Sequence, residues 1–455
     1  MSSTTIPTAQ AYNMVCIGFG ASALSLAIAL KERHALGGTI FLEQQPQLSW
    51  KPCHSLISAR MKTSFLNDLV TSENPRSKFT FISYLHSTNQ LVVYTNSGRI
   101  TPSRAKFADY LRWCTKQFAQ DISFGKRVVR VTPVQPQGEL VESWNVLFED
   151  VSSGQRTTVT TRQVVCAAGL QQKLSNALSS SSVRTNVVHS SDALEAIATV
   201  MKGRKANRRF AVVGDGNQAA EVFNHLHGIH GDHEVHWFTQ QSSFRGGNET
   251  SLLISSIQSG IGEMSSSNGV PHEFRGKTIT GQETEKPLPR QLLTDIYEFL
   301  YDQSVKQPDP AKCRFQVRYS TDILDCKPQN EGRVEMMVQE GGNRSPKSYT
   351  DVYDLIISAT GYGTSEHQRI LKPLRNLIDG QRITVGIDYQ VNFRSSLKKR
   401  STGVWLLHSP IDTDEIDDSM YQILAQRSAR VAQSLLLQRK FSEEETLDED
   451  RLARL

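Results

Sequence analysis

Two glycine-rich turns are the first stretches of this chain with the spacing to do chemistry. One is Gly18-x-Gly20-x-x-Ala23, inside VCIGFGASALSLAIAL. The other is Gly214-x-Gly216-x-x-Ala219, inside RFAVVGDGNQAAEVFNHLH. In such a turn the first glycine permits the tight bend and the second lets the backbone approach a pyrophosphate. The third small residue lets the following helix pack close to its strand. The anion then rests on the helix N-terminus, where free N–H groups and the helix dipole favour negative charge.

Each turn needs a partner for the adenosine ribose. After the first, Glu43 closes the strand TIFLE and offers a carboxylate to the ribose hydroxyls. The second turn has no acid at the matching place: HWFTQQSSFR carries Thr239, Gln240 and Gln241, then Arg245. That pattern suits a ribose 2′-phosphate, and so NADPH rather than NADH. Two dinucleotide sites in one chain imply a flavin reduced by a nicotinamide, with FAD in the first turn and NADPH in the second. The strand end ATGY (Ala359 to Tyr362) is expected to return the chain beside the flavin, where Ala359, Thr360 and Gly361 leave room for close approach.

The elements that must hold these turns follow from periodicity. Asn13 to Gly18 is an apolar strand, Ala21 to Arg33 is helical and Thr39 to Glu43 is a second strand. FADYLRWCTKQF (Phe107 to Phe118) is an aromatic-rich helix, and QVVCAAG (Gln163 to Gly169) is another buried strand. A serine-rich loop (Ser175 to Ser182) and a basic linker, KGRKANRR (Lys202 to Arg209), precede the second unit. That unit repeats strand, turn and helix, with EVHWFTQ as its second strand. Ser242 to Thr284 is rich in Ser, Gly and Asn and reads as loops. A helix is expected over Arg290 to Gln303, antiparallel β structure from Val317, and a last helix over Asp418 to Gln438. The acidic stretch SEEETLDE reads as a solvated or disordered tail. The expected class is α/β, with two Rossmann-like dinucleotide-binding domains and a small helical and loop substrate region. Its first FAD part is 12–200, its NADPH part 205–345 with an inserted substrate region at about 245–305, its FAD return 346–440 and its tail 441–455.

Bulk properties agree. At 455 residues the chain is too long for one hydrophobic core. Its 38% hydrophobic and 21% charged content suits a soluble protein, and no window reaches membrane-helix length. The net charge of +5 lies in no basic block, which points to small anionic ligands rather than nucleic acid or a membrane. Six scattered cysteines, without CxxC spacing, fit reduced thiols in the cytoplasm rather than a disulfide frame or a metal site. No GxSxG nucleophile and no metal-ligand cluster is visible.

With these residues in place the sequence resembles the flavin-dependent ornithine and lysine N-monooxygenases of siderophore biosynthesis. IGFGASALSLAIAL, FLEQQPQLSW, MKTSFLNDL, NPRSKFTFISYLH, FADYLRWC, VVGDGNQAAEVF and SATGY carry the resemblance, over most of 12–435. It implies that NADPH reduces FAD, that oxygen forms a flavin hydroperoxide, and that the distal oxygen passes to an amine. It places Gln44 and Trp50 on the cofactor side, with Trp50 and Trp113 packing near the flavin face. It also implies a homo-oligomer.

The departures from the family pattern fall on the substrate side. Where the family shows proline after its second glycine, this chain has Ala21. Where it shows histidine and then methionine after the tryptophan, Lys51 and His54 stand here. The glutamine beside the flavin becomes Lys62, and the lysine that meets the substrate carboxylate becomes Asn67. Ile254 and Thr284 replace asparagines, and the terminal serine contact falls near Gln422. Lys62 stabilises a reduced, anionic flavin or holds an acidic substrate; the other reading has it facing solvent or pairing with Asp68 or Glu73. Lys51, His54 and Arg60 in the same segment suggest a carboxylate-bearing substrate. The expected activity is therefore N-hydroxylation of an amine other than ornithine held in the usual way. The competing reading is an NADPH oxidase, or a flavoprotein that has lost the ancestral amino-acid site.

Overall fold

A computed structural model describes residues 12–48, 60–61, 63–135, 140–169, 171–179, 185–202, 207–244, 246–247, 288–341, 346–363, 366–378, 383–394, 397–407 and 423–452. Five strands form a parallel sheet: β1 (Tyr12–Ile17), β2 (Thr39–Glu43), β3 (Ile122–Phe124), β6 (Arg156–Cys166) and the late strand Gly403–Leu406. β4 (Lys126–Val134) and β5 (Ser143–Asp150) extend it as an antiparallel meander on the first half of β6. β6 therefore has two characters. Thr157 to Thr161 face β5, while Gln163 to Cys166 run between β1 and the late strand.

Helix α1 (Ala21–Glu32) is buried from Ala21 to Leu30. A helix apolar on all sides belongs inside the protein. It lies between the sheet and the C-terminal helix Leu424–Leu452, and Leu24, Ala27 and Ile28 share one core with Val431, Ala432 and Leu435. Helices α2 (Phe81–Ser87) and α4 (Arg104–Thr115) close the same core through Phe81, Tyr84, Phe107 and Tyr110. Each has an N-cap hydroxyl, Thr80 on the Ser83 N–H and Ser103 on the Lys106 N–H.

The second sheet is parallel throughout. Its order is β13 (Phe315–Arg318), β10 (His233–Phe238), β9 (Arg208–Val213), β17 (Leu355–Ser358), β8 (Val187–His189). Helix α6 (Asn217–His227) and the helix Arg290–Lys306 pack on it through Phe223, Phe299 and Phe315. A three-stranded antiparallel layer, β14 (Thr321–Gln329), β15 (Arg333–Glu340) and β16 (Lys347–Tyr353), covers another face.

Several expectations change. Sheet membership divides the chain differently from boundaries at 200, 205 and 346. Val187–His189 already belongs to the second sheet, and so does Leu355–Ser358. Val317 lies in the parallel edge strand opposite Trp237, and the antiparallel layer starts at Thr321. The basic stretch is no simple linker, because Arg208 and Arg209 open a central strand. Arg209 forms an ion pair with Asp351, its NH2 group 2.8 Å from one carboxylate oxygen, and Arg208 is buried. The tail also differs, since the last helix continues through the acidic stretch to Leu452.

Candidate functional site

The two turns are built alike down to single hydrogen bonds. The Gly18 N–H reaches the carbonyl of Leu42 at 2.8 Å, and that of Gly214 reaches the carbonyl of Phe238 at 3.0 Å. Across the sheet, the Ala167 N–H donates to Ile17 at 2.8 Å and the Ala359 N–H to Val213 at 2.7 Å. A Cβ on Gly18 would stand 2.4 Å from the Ala167 oxygen, and one on Gly214 would stand 2.4 Å from the Ala359 oxygen. Both have positive φ, +89° and +147°. Glycine is thus required at both, by conformation and by contact. Gly20 and Gly216 serve as N-caps of α1 and α6 without any side-chain cap. No side chain therefore competes for the N–H groups at either helix start, although the Ala219 N–H of α6 already donates to the Gly216 carbonyl at 3.0 Å. A Cβ on Gly20 would meet nothing within 4 Å, which leaves open space above the α1 N-terminus. Ala23 and Ala219 are fully buried where each helix meets its sheet. Both cradles fit a dinucleotide pyrophosphate.

Glu43 is held at the first turn. Its Oε2 accepts from the Phe19 N–H at 2.7 Å and its Oε1 from the Gln45 N–H at 2.8 Å. Gln44 beside it is exposed. At the second turn the strand end carries Thr239, Gln240 and Gln241, as expected, but a carboxylate reaches it from the turn itself. Asp215, between the two glycines, turns its carboxylate to the end of β10. There it accepts from the Thr239 hydroxyl at 2.7 Å and the Gln240 N–H at 2.8 Å.

Ala359 packs on the second turn; its counterpart at the first is Ala167, inside the CAAG run. Thr360 and Gly361 lie where two connections between the units meet. The first connection, β7 (Gln171–Gln172), pairs antiparallel with the second, β18 (Tyr362–Gly363). The Gly361 carbonyl accepts from the Lys173 N–H at 3.1 Å and from His189 Nε2 at 3.0 Å, while Thr360 Oγ1 donates to the Lys173 carbonyl. A carbonyl only accepts, so His189 carries its proton on Nε2. Its Nδ1 accepts from the Ser191 N–H at 3.2 Å. Burial holds the His189 imidazole below its usual range. Ser190 adds a bond from its hydroxyl to Gln218 of the second turn, 2.8 Å.

Asn67, expected on the substrate side, is half-buried, its N–H on the Ser64 carbonyl at 2.9 Å. Its neighbour Asp68 is 2% exposed and organises the whole segment. It accepts from the N–H groups of Val70, Thr71 and Phe81 at 2.9, 2.7 and 2.6 Å, and from the Thr71 hydroxyl at 2.7 Å. Burial pushes its carboxyl pKa up and these four bonds oppose the rise. Arg60 places a guanidinium nitrogen 3.0 Å from the Thr101 carbonyl. Trp113 packs on Tyr84 with ring centres 5.7 Å apart. Trp50, Lys51, His54, Lys62, Arg245, Ile254, Thr284 and Gln422 lie outside the described residues.

The first unit's helical layer also grips the second turn. Arg104 reaches Glu221 at 2.8 Å, and Glu221 accepts from the Asn217 side-chain amide at 2.7 Å. No sequence spacing links positions so distant. Among the described residues no group of three or more His, Cys, Asp or Glu could hold a metal ion, and no helix is long and apolar enough to cross a membrane.

Comparison with known proteins follows this geometry. The sequence profile described as L-lysine 6-monooxygenase/L-ornithine 5-monooxygenase matches residues 10–364. An L-ornithine N(5)-monooxygenase of Ajellomyces capsulatus is 30% identical over 441 residues, which is 95% of this chain and 92% of that protein. The ornithine N-hydroxylase of Kutzneria sp. 744, solved with reduced FAD, NADP⁺ and L-ornithine, superposes with a TM-score of 0.82. It is 25% identical, over 94% of this chain and 100% of that one. The reduced ornithine hydroxylase of Pseudomonas aeruginosa gives the same TM-score, 0.82, with 25% identity and the same coverage, 94% and 100%.

Proposed function

The chain belongs to the L-lysine 6-monooxygenase/L-ornithine 5-monooxygenase family, and on that footing we propose that it N-hydroxylates an amine other than ornithine held in the usual way, in siderophore or other specialised-metabolite biosynthesis. It is an NADPH-dependent flavin monooxygenase of the ornithine N-monooxygenase type, using FAD and NADPH. Bound in the two turns, FAD supplies oxygen activation and NADPH the reducing equivalents.

The observation that carries the reading is the duplicated cradle, Gly18 on Ala167 and Gly214 on Ala359. The protein's own share is to bind, orient and exclude water. Gly18, Gly20 and the α1 N-terminus hold the FAD pyrophosphate, with Ala23 closing the helix on its strand and Glu43 at the ribose. Gln44 and Trp50 complete that side. Gly214, Gly216 and Ala219 do the same for NADPH, with Arg245 at the 2′-phosphate. Ala359, Thr360 and Gly361 keep the two units in register.

Asn67 supports the change of substrate. An amide offers a carboxylate only a neutral hydrogen bond, about half as strong as a charge-assisted one. A carboxylate buried beside it without a cation would be costly. Lys62 beside the flavin, with Lys51, His54 and Thr284 around the substrate, belongs to the same proposal and suits an acidic or carboxylate-bearing amine. The enzyme is further proposed to be cytoplasmic and homo-oligomeric.

Stopped flow tests this. The FAD-loaded protein is reduced with NADPH and mixed with oxygen, with and without ornithine. A long-lived absorbance transient that ornithine does not discharge supports a monooxygenase with another substrate. Immediate return to the oxidised spectrum with release of hydrogen peroxide favours the NADPH oxidase reading. Efficient ornithine hydroxylation overturns the altered substrate.

A further inference from the structure

In both units a carboxylate bridges the middle residue of the glycine turn and the end of the second strand, but the donor and acceptor are exchanged. At the first turn the acid is on the strand and the N–H in the turn: Glu43 Oε2 and Phe19 N, 2.7 Å. At the second the acid is in the turn and the N–H on the strand: Asp215 Oδ1 and Gln240 N, 2.8 Å. The junction is the same one, and it is where a βαβ dinucleotide fold receives the adenosine ribose.

We propose that Asp215 makes this enzyme accept NADH alongside NADPH, because its carboxylate holds at the second turn the junction that Glu43 holds at the first. The inference rests on the reading of the second turn as the nicotinamide-dinucleotide site. A carboxylate there accepts hydrogen bonds from free ribose hydroxyls and repels a 2′-phosphate.

The surroundings strengthen the negative side. Asp215 Oδ1 is fixed by two donors, Thr239 Oγ1 at 2.7 Å and Gln240 N, so the side chain is oriented before any ligand arrives. The Gln240 side chain donates to Asp322 at 2.6 Å, which brings a second carboxylate to the same strand end. Asp215 thereby opposes a preference for the 2′-phosphate and narrows the gap between the two nucleotides.

Calorimetry with the FAD-loaded full chain separates the possibilities. The probes are adenosine 2′,5′-bisphosphate, which carries the 2′-phosphate, and AMP, which does not. The variants are Asp215→Asn, which keeps the shape and removes the charge, and Asp215→Ser. FAD content and melting temperature check that each variant is folded. The expected result is that the two probes bind the parent within about 10-fold of each other. Asp215→Asn should then tighten the bisphosphate by about 10-fold and weaken AMP, and the ratio of flavin-reduction kcat/KM values should shift toward NADPH by a similar factor. If both probes bind but their ratio is unchanged in both variants, or if the parent already favours the bisphosphate more than 100-fold, the inference is overturned and the nucleotide site stands. If neither probe binds parent or variants, the nucleotide reading of the second turn falls, and this inference with it.

Discussion

The Arg104 guanidinium stands 2.8 Å from the Glu221 carboxylate, and the two side chains, 10% and 6% exposed, join the helical layer of the first unit to the nucleotide helix of the second. Removing one partner of a buried pair leaves the other charge in a low-dielectric place, at a cost of about 3–5 kcal/mol. Arg104→Ala should therefore lower the urea midpoint sharply. Arg104→Met combined with Glu221→Leu should recover much of the loss, because no charge then needs a partner. Asn217 hangs on the same carboxylate, so Arg104→Ala should also weaken NADP⁺ binding in titration while FAD content changes little.

Gly214→Ala and Gly18→Ala separate the two cofactors. In each case the new Cβ meets a backbone oxygen at 2.4 Å in a left-handed conformation, and a backbone atom has no rotamer to move away by. Strain of about 1–3 kcal/mol corresponds to roughly 5- to 150-fold in affinity. Gly214→Ala should lose NADP⁺ binding and keep its flavin absorbance. Gly18→Ala should lose flavin absorbance after desalting.

His236 gives stability a pH dependence. Burial, aided by the Arg209 charge, lowers its pKa to about 4. The Tyr353 hydroxyl donates to Asp351 at 3.0 Å, so its oxygen accepts the His236 Nδ1 proton at 2.8 Å. A second proton on the ring would charge a buried group. The folded pKa lies below the unfolded value of about 6.5, so this contribution is whole above pH 6.5 and is lost as pH falls toward 4. Up to about 3 kcal/mol should disappear across that window. His236→Gln should flatten the curve of unfolding midpoint against pH between 6.5 and 4.

Asn67→Lys puts a cation where the family resemblance expects one to meet the substrate carboxylate. Because Asn67 is half-buried on a turn fixed by Asp68, the longer side chain has an exit and the fold should survive. Ornithine-dependent NADPH oxidation should rise by about 10-fold or more, consistent with a charge-assisted bond. Hydroxylamine assay with ornithine reads the result; an unchanged yield would count against the position.

What the sequence disclosed was local. Strand, glycine turn, helix and acid-bearing strand follow one another within a few dozen residues, and both turns formed where their spacing put them. The pairing of Leu355–Ser358 with Val212 and Val188 was hidden, because a buried parallel strand has the same apolar run in either sheet. Asp68, Asp215 and Arg104 were hidden for a related reason. Their roles come from hydrogen bonds that the fold closes over distance, and no periodicity records them. The last helix outran its expected end because the acidic run contains no proline or glycine to stop it.

The paired connections Gln171–Lys173 and Thr360–Gly363 have a consequence for biosynthesis. Between them lies the entire second sheet, a continuous length of chain, while the first sheet is completed only by Gly403–Leu406 and by the C-terminal helix on α1. During translation the inserted unit has every strand it needs before the enclosing one does. A nascent chain halted before residue 403 holds a complete nucleotide fold beside an open β6 edge and an uncovered, largely apolar α1.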